Sequence, residues 1–137
     1  MARIKYNSDV MGYISIFESL TGAKVKDCIA NDNIIFIVHE NEMGKAIGKE
    51  GSNIKRVENA FKKKIRLAEF NSDVLQFVRN LIHPIRAKEI KEEEGVVTIY
   101  GEDTKTKGML IGRDRHNINS TADIVKRHFD IKEIKVG

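Results

Sequence analysis

The hydrophobic and polar positions in the first half of the chain recur first at helical and then at strand spacing. Five apolar residues share the helical spacing behind the capping candidates Asn7 and Ser8: Val10, Tyr13, Ile14, Phe17 and Leu20. They predict an amphipathic helix. Alternation over 24–30 and a β-branched run over 34–38 then predict a hairpin whose turn lies at 31–33.

A glycine-centred loop between two helices is predicted to follow the hairpin. The short first helix covers 42–47, and the loop covers 48–51. The longer second helix has an apolar face made by Ile54, Val57, Ala60 and Phe61. Alternation over 64–67 predicts a closing strand, so the first half has the order α-β-β-α-α-β.

The chain repeats this pattern 64 positions later. The stretch Asn7-Ser8-Asp9-Val10 recurs as Asn71-Ser72-Asp73-Val74, and Ile47-Gly48 recurs as Ile111-Gly112. Both halves are therefore predicted to be copies of one small unit.

The second half follows the same order of elements. Apolar spacing predicts a helix from Val74 that Pro84 ends, because proline lacks a backbone donor. Two strands are predicted at 85–91 and 96–100, with their turn at 92–95. A helix at 117–128 and a last strand at 131–136 follow. The strands align at an offset of 62 and the loops at 64, which places two added residues within 101–107.

The repeat predicts two domains, at residues 1–70 and 71–137. Units of about 65 residues bury only roughly 60% of the surface of their unfolded chains, so each is expected to lean on its neighbour. Only Asn71 and Ser72 separate the last predicted strand of the first copy from the helix of the second. That linker is too short for a flexible tether, and we expect the domains to be fixed relative to each other.

The composition is that of an ordinary globular protein with a basic bias. The chain has 137 residues, 41% of them hydrophobic and 32% charged, and a formal net charge of +4, which suits an anionic partner. The apolar runs are shorter than the roughly 18 residues of a membrane span, and the start lacks the apolar core of a signal peptide, so we expect a cytoplasmic protein. The single cysteine, Cys28, is expected to be a small buried residue.

The sequence carries no pattern typical of catalysis. Its four histidines are scattered without the pairing that a metal site or a base and nucleophile would need: His39, His83, His116 and His128. Residues 44–52 fail as a phosphate-binding P-loop. That motif needs a glycine and then a lysine at the fifth and sixth positions after its first glycine, and the chain has Lys49 and Glu50 there. We expect no enzymatic activity, no cofactor and no metal.

The two glycine-centred loops are the candidate binding sites. Glycine lets a backbone approach a sugar-phosphate chain closely, and amides at the start of the following helix favour a phosphate. Cations are expected to meet phosphates while isoleucines line an apolar groove for the bases. The candidate residues of the first loop are Lys45, Ile47, Gly48, Lys49, Glu50, Gly51, Asn53, Ile54, Lys55 and Arg56. Those of the second loop are Lys107, Ile111, Gly112, Arg113, Asp114, Arg115, Asn117 and Ile118.

Acidic and aromatic residues limit these predictions. Glu50 and Asp114 place negative charge near the expected strand, and we expect them to cap helices or to face solvent. Arg115 replaces the final glycine of the first loop, which leaves two alternatives: an added phosphate contact, or a degenerate module kept for scaffolding. Phe17, Phe36, Phe61 and Phe77 lie on apolar faces, while Tyr6, Phe70 and Tyr100 remain candidate stacking residues for which core roles are favoured.

The order β-α-loop-α-β around Ile47-Gly48-Lys49-Glu50-Gly51 resembles a KH domain, and the helix and strand before it match the type II arrangement. The pair of copies, the second with Leu110-Ile111-Gly112-Arg113-Asp114-Arg115-His116-Asn117-Ile118, resembles the archaeal members of the NusA family. This resemblance implies an α+β fold of two tandem type II KH domains. Each would be α-β-β-α-α-β, with a three-stranded sheet packed by helices.

The resemblance also implies a function. Members of this family are single-stranded RNA-binding transcription factors, so the chain is expected to clamp nascent RNA across both domains and to act in termination or antitermination. RNA polymerase is a candidate partner, and a monomer without membrane association is expected. The alternatives are a KH adaptor in ribosome assembly or RNA processing, and a protein-interaction scaffold bound to RNA polymerase.

Overall fold

A computed structural model describes residues 8–30 and 33–137 of the chain. The described residues fall into two compact units that divide in sequence between Asn71 and Ser72. We call them the N-terminal unit and the C-terminal unit. The predicted cap Asn7, the candidate stacking residue Tyr6 and the turn residues 31 and 32 lie outside the described residues.

The N-terminal unit has the predicted order of elements. Its helices, its strands and one turn of 3-10 helix are α1 Ser8–Thr21, β1 Val25–Ala30, β2 Ile34–Val38, α2 Met43–Ile47, the 3-10 turn Lys49–Gly51, α3 Ser52–Phe61 and β3 Ile65–Glu69. The sheet order is β1-β2-β3, with β1 antiparallel and β3 parallel to β2. A strand that returns parallel needs a crossover, and α2, the loop and α3 form it.

Aromatic rings fill the core of the N-terminal unit. Phe36 on the central strand stacks on Phe17 of α1, with 4.2 Å between ring centroids, and both are fully buried. Phe61 at the end of α3 meets Tyr13 edge to face at 5.2 Å. Cys28 is buried in the same core, as predicted. This packing fixes the helix that follows the loop against the sheet.

The C-terminal unit repeats the fold. Its elements are α4 Val74–Ile82, β4 Glu89–Glu93, β5 Val96–Tyr100, α5 Thr104–Ile111, the 3-10 turn Arg113–Arg115, α6 His116–Lys126 and β6 Glu133–Val136. The sheet order is β4-β5-β6, again with one antiparallel and one parallel pair. Phe77 is fully buried and packs 5.7 Å from the ring of Phe129. The chain is thus a mixed α+β protein with two three-stranded sheets.

The prediction for the second hairpin was wrong in its bounds. We predicted a strand over 85–91 and a turn over 92–95, but β4 runs Glu89–Glu93, and Glu93 pairs with Val96. The turn is only Glu94 and Gly95, at φ of +51° and +82°. Two left-handed residues make the tight turn whose twist matches a hairpin. The acidic run therefore belongs to an exposed edge strand, where charged side chains are accepted.

Other boundaries also differ from the predictions, among them α2, which begins at Met43, and β3, which is Ile65–Glu69. The last helix is His116–Lys126, and the last strand begins at Glu133 rather than at 131. The C-terminal unit has two more residues between strand and loop, because α5 has 8 residues where α2 has 5 and the connection before it has three residues instead of four. The stretch 70–73, twice the predicted length, separates β3 from α4, because the Asp73 side chain caps α4 by accepting a hydrogen bond from the Leu75 amide at 3.0 Å.

Candidate nucleic-acid interface

The first glycine of each loop has a conformation that other residues avoid. Gly48 has φ +74° and ψ 173°, and Gly112 has φ +75° and ψ 173°. A Cβ added to Gly48 would lie 2.7 Å from Cγ of Asn53, and one added to Gly112 would lie 2.6 Å from Cγ of Asn117. Both the backbone angle and the available space therefore require glycine at these positions.

Asn53 and Asn117 each join the two helices that flank their loop. The Nδ2 group of Asn53 donates to the carbonyl oxygen of Lys45 at 2.7 Å, and that of Asn117 donates to the carbonyl oxygen of Met109 at 2.9 Å. Each amide joins the helix after the loop to the helix before it. The sequence predicted these two asparagines as RNA-binding residues, and the structure gives them a hydrogen bond within the loop.

The last two positions of each loop are left-handed in both units. Glu50 has φ 55° and ψ 28°, and Asp114 has φ 52° and ψ 33°. Gly51 has φ 76° and ψ 16°, and Arg115 has φ 63° and ψ 19°. A left-handed residue other than glycine costs about 1 kcal/mol. The second loop thus keeps the shape of the first although arginine replaces glycine.

The space around Gly51 explains how an arginine can occupy this position. A Cβ added there would lie 3.8 Å from Cγ2 of Ile54 and 3.9 Å from Cε of Lys55, which are ordinary van der Waals contacts. A side chain at this position therefore strains the backbone but does not collide with it. Arg115 is exposed to solvent in the C-terminal unit.

Lys45, the most N-terminal of the candidate cations, is already paired with a carboxylate. Its Nζ lies 3.3 Å from the Glu42 carboxylate, while the other oxygen of Glu42 accepts a hydrogen bond from the Lys24 amide at 2.8 Å. That backbone hydrogen bond, helped by Lys45, lowers the pKa of Glu42. The hydrogen bond from the Lys24 amide to Glu42 ties the start of α2 to the start of β1.

The remaining candidate cations and both loop acids are exposed. Lys49 lies in the loop of the N-terminal unit, and Lys55 and Arg56 lie in the first two turns of α3. Arg113 and Arg115 lie in the second loop itself, and Lys107 precedes it on α5. Glu50 and Asp114 face solvent, as predicted. The loops therefore carry cations at different positions on a common backbone.

The apolar candidates differ in exposure. Ile47 is 40% exposed beside the first loop, and Ile54 is half-buried against the core. Ile111 is half-buried beside the second loop, whereas Ile118 is a core residue at 2% exposure. Met109, at 43% exposure, is an apolar neighbour of the second loop that the sequence analysis missed. Met109 stands 64 residues after Lys45, so the repeat matched it with a candidate cation and not with an apolar residue of the groove.

A second pair of glycines was also missed. Gly44 and Gly108 lie inside α2 and α5, four residues before the loop glycines and 64 residues apart. Both are exposed, and a Cβ added to either would meet nothing within 4 Å. Glycine in a helix costs roughly 0.5–1 kcal/mol relative to alanine. Packing inside the described units therefore gives no reason for glycine here, and the positions leave the helix backbone open to close approach.

Metal-binding clusters and membrane-spanning helices are absent from residues 8–30 and 33–137. There, no three or more His, Cys, Asp or Glu side chains are grouped so that they could hold a metal ion. In the same ranges no helix is long and apolar enough to cross a membrane.

Comparisons with known proteins match most of the chain. The family described as KH domain matches residues 12–80. The probable transcription termination protein NusA of Methanococcus vannielii is 37% identical over 98% of this chain and 80% of its own length. The protein of that name from Halococcus morrhuae is 33% identical over 98% of this chain and 99% of its own length. The crystal structure of APE1850 is similar with a TM-score of 0.75 and 29% identity, covering 96% of this chain and all of that one.

Proposed function

The chain belongs to the NusA family of KH-domain proteins, and from this membership we propose that it is a single-stranded RNA-binding transcription factor. In this proposal residues 1–70 and 71–137 are tandem type II KH domains. The observation that carries it is the shared backbone of the two loops, from φ +74° at Gly48 and +75° at Gly112 to the left-handed residues at their ends. Both loops are proposed to bind RNA in the same way.

Each loop is proposed to bind the sugar-phosphate backbone. The loop is followed directly by a helix, α3 from Ser52 or α6 from His116, and the positive end of a helix dipole favours an anion. The first glycine has no side chain that would block the approach of the sugar-phosphate backbone. Around the first loop, Lys49, Lys55 and Arg56 supply positive charge for the phosphates.

The bases are proposed to lie against the exposed apolar residues beside each loop. Ile47 in the N-terminal unit and Met109 in the C-terminal unit are 40% and 43% exposed. A KH loop clamps roughly four nucleotides of a single strand, so two loops acting on one strand would engage about eight. We propose that one RNA strand contacts both loops.

The proposed role in transcription is supported by the names of the relatives. Several archaeal relatives are named probable transcription termination protein NusA, which supports a role in termination or antitermination and makes RNA polymerase a proposed partner. In the same proposal the chain is a cytoplasmic monomer without enzymatic activity. A KH adaptor in ribosome assembly or RNA processing would carry the same loops, and the RNA that copurifies with the chain separates the two functions. A scaffold held to polymerase by protein contacts alone would keep its partners after nuclease treatment.

The test of RNA binding is fluorescence anisotropy with a pool of short single-stranded RNAs at two salt concentrations. Three chains are compared: wild type, Lys49→Glu in the first loop, and Lys63→Glu, which makes the same charge change at an exposed site beyond the end of α3. We expect salt-sensitive binding that Lys49→Glu weakens by about tenfold and Lys63→Glu leaves nearly unchanged. A folded wild-type chain that binds no RNA would refute the proposal and favour the scaffold.

A further inference from the structure

In the N-terminal unit, the side chain of Lys55 lies next to Gly51, the last residue of the loop. A Cβ built on Gly51 lies 3.9 Å from Cε of Lys55, the carbon that carries the ammonium group. The end of Lys55 therefore passes the point where a side chain at position 51 would begin. Lys55 is exposed, so its charge is available at this corner of the loop.

The C-terminal unit exchanges the two residue types at the equivalent positions. Sixty-four residues later, Asn119 stands where Lys55 stands in the first copy, and Arg115 stands where Gly51 stands. The helix position loses its cation, and the loop position gains one. Because the two loop backbones match, the Arg115 side chain begins beside the place that the end of the Lys55 side chain occupies in the first loop.

The backbone at this position disfavours the exchange. Arg115 has φ 63°, in the left-handed region that glycine adopts readily and other residues adopt only with strain. Residues held in strained backbone regions are found at binding and catalytic sites more often than elsewhere. Asp114 beside it does not account for the arginine, since Glu50 holds the same place in the first loop without one.

We propose that Arg115 binds phosphate in the second loop beside Arg113, and that it supplies there the charge that Lys55 supplies in the first loop. The inference rests on the proposed RNA-binding function and deepens it, since it makes the second loop an active site instead of a degenerate module. A guanidinium suits the position, because its planar fork can donate two hydrogen bonds to one phosphate.

The experiment compares wild type, Arg115→Gly and the double variant Arg115→Gly with Asn119→Lys, all as full chains. Arg115→Gly restores the loop pattern of the first unit and removes the strain, so its melting temperature should equal or exceed that of wild type. Its affinity for short single-stranded RNA should nevertheless fall several-fold at low salt. The slope of log K against log salt should become shallower by about 0.7, as for one lost phosphate contact.

The double variant rebuilds the arrangement of the first unit and should recover both the affinity and the slope. Wild-type affinity and slope in Arg115→Gly would overturn the inference, as would a loss that Asn119→Lys does not restore. A lower melting temperature in Arg115→Gly would assign the loss to folding and would overturn it too. If the wild-type chain itself binds no RNA, it is the proposed function that fails.

Discussion

At the scale of single residues, Asn53 and Asn117 have a role that their spacing from the loop glycine makes possible. Each asparagine comes five residues after its glycine, so its side chain reaches back under the loop to a carbonyl of the preceding helix. The same side chain fills the volume that a Cβ on Gly48 or Gly112 would need. Loop shape therefore depends on the glycine and the asparagine together.

Replacing Asn53 with alanine should destabilise the N-terminal unit and loosen its loop. The change removes one hydrogen bond from an exposed site, which predicts a loss of about 1 kcal/mol of unfolding free energy. Urea denaturation followed by circular dichroism measures this loss. Asn59→Ala, at an exposed position on the same helix, is the control and should change the midpoint much less. Equal effects of the two variants would contradict the loop-bracing role.

Glu42 makes the stability of the protein depend on acid pH. Its pKa is lowered, first by the hydrogen bond from the Lys24 amide, so the carboxylate is favoured in the folded state. The stabilisation is then fully present above the ordinary pKa of 4.5 and is lost as the pH falls through the lowered value. In thermal melts from pH 6 downwards, Glu42→Gln should be less stable than wild type at pH 6, with the difference shrinking in acid. A difference that stays constant with pH would contradict this assignment.

At the scale of elements, α2 and α5 are weak helices that end at the loops. Each contains an exposed glycine, Gly44 or Gly108, which lowers helix stability without filling any gap in the described structure. The loops and their flanking helices thus combine low intrinsic stability with an open backbone face. Packing within the described parts of the two units does not require glycine at either position, so a role in binding is a prediction to be tested.

Gly44→Ala should separate stability from binding. We expect the variant to gain roughly 0.5–1 kcal/mol of unfolding free energy, because alanine is the better helix former. Its RNA affinity should fall, because a methyl group then stands where the ligand approaches. Gly12→Ala on α1 is the matched control, since a Cβ there also meets nothing within 4 Å. It should gain similar stability and keep full affinity, and unchanged affinity in Gly44→Ala would contradict the close approach.

The sequence predicted most elements, and it missed those whose residues send mixed signals. Strand β2 was predicted with its bounds, because an unbroken β-branched run is the strongest strand signal. Strand β4 was misplaced, because its glutamates suggest a loop, and only pairing with β5 makes them an edge strand. The positive φ values of Glu50 and Arg115 could not be predicted, because these residue types rarely adopt them.

At the scale of the whole molecule, a net charge of +4 and two loops of one shape suit a long anionic ligand better than a small one. The 64-residue repeat predicted which residues form the two loops. It could not show that Ile118 is buried or that Asn53 and Asn117 act inside the loop, because those facts depend on packing. The repeat thus predicted where the two loops lie but not how their residues pack.

The dependence of affinity on RNA length tests most directly whether both loops bind one strand. Anisotropy is measured with four-nucleotide and eight-nucleotide single-stranded RNAs for wild type, Lys49→Glu and Arg113→Glu. We predict that wild type binds the longer RNA at least tenfold more tightly, because a second loop engages a strand that is already held. Either loop variant should lose most of this gain. Equal affinity for the two lengths in wild type, or a gain untouched by Arg113→Glu, would contradict binding at both loops.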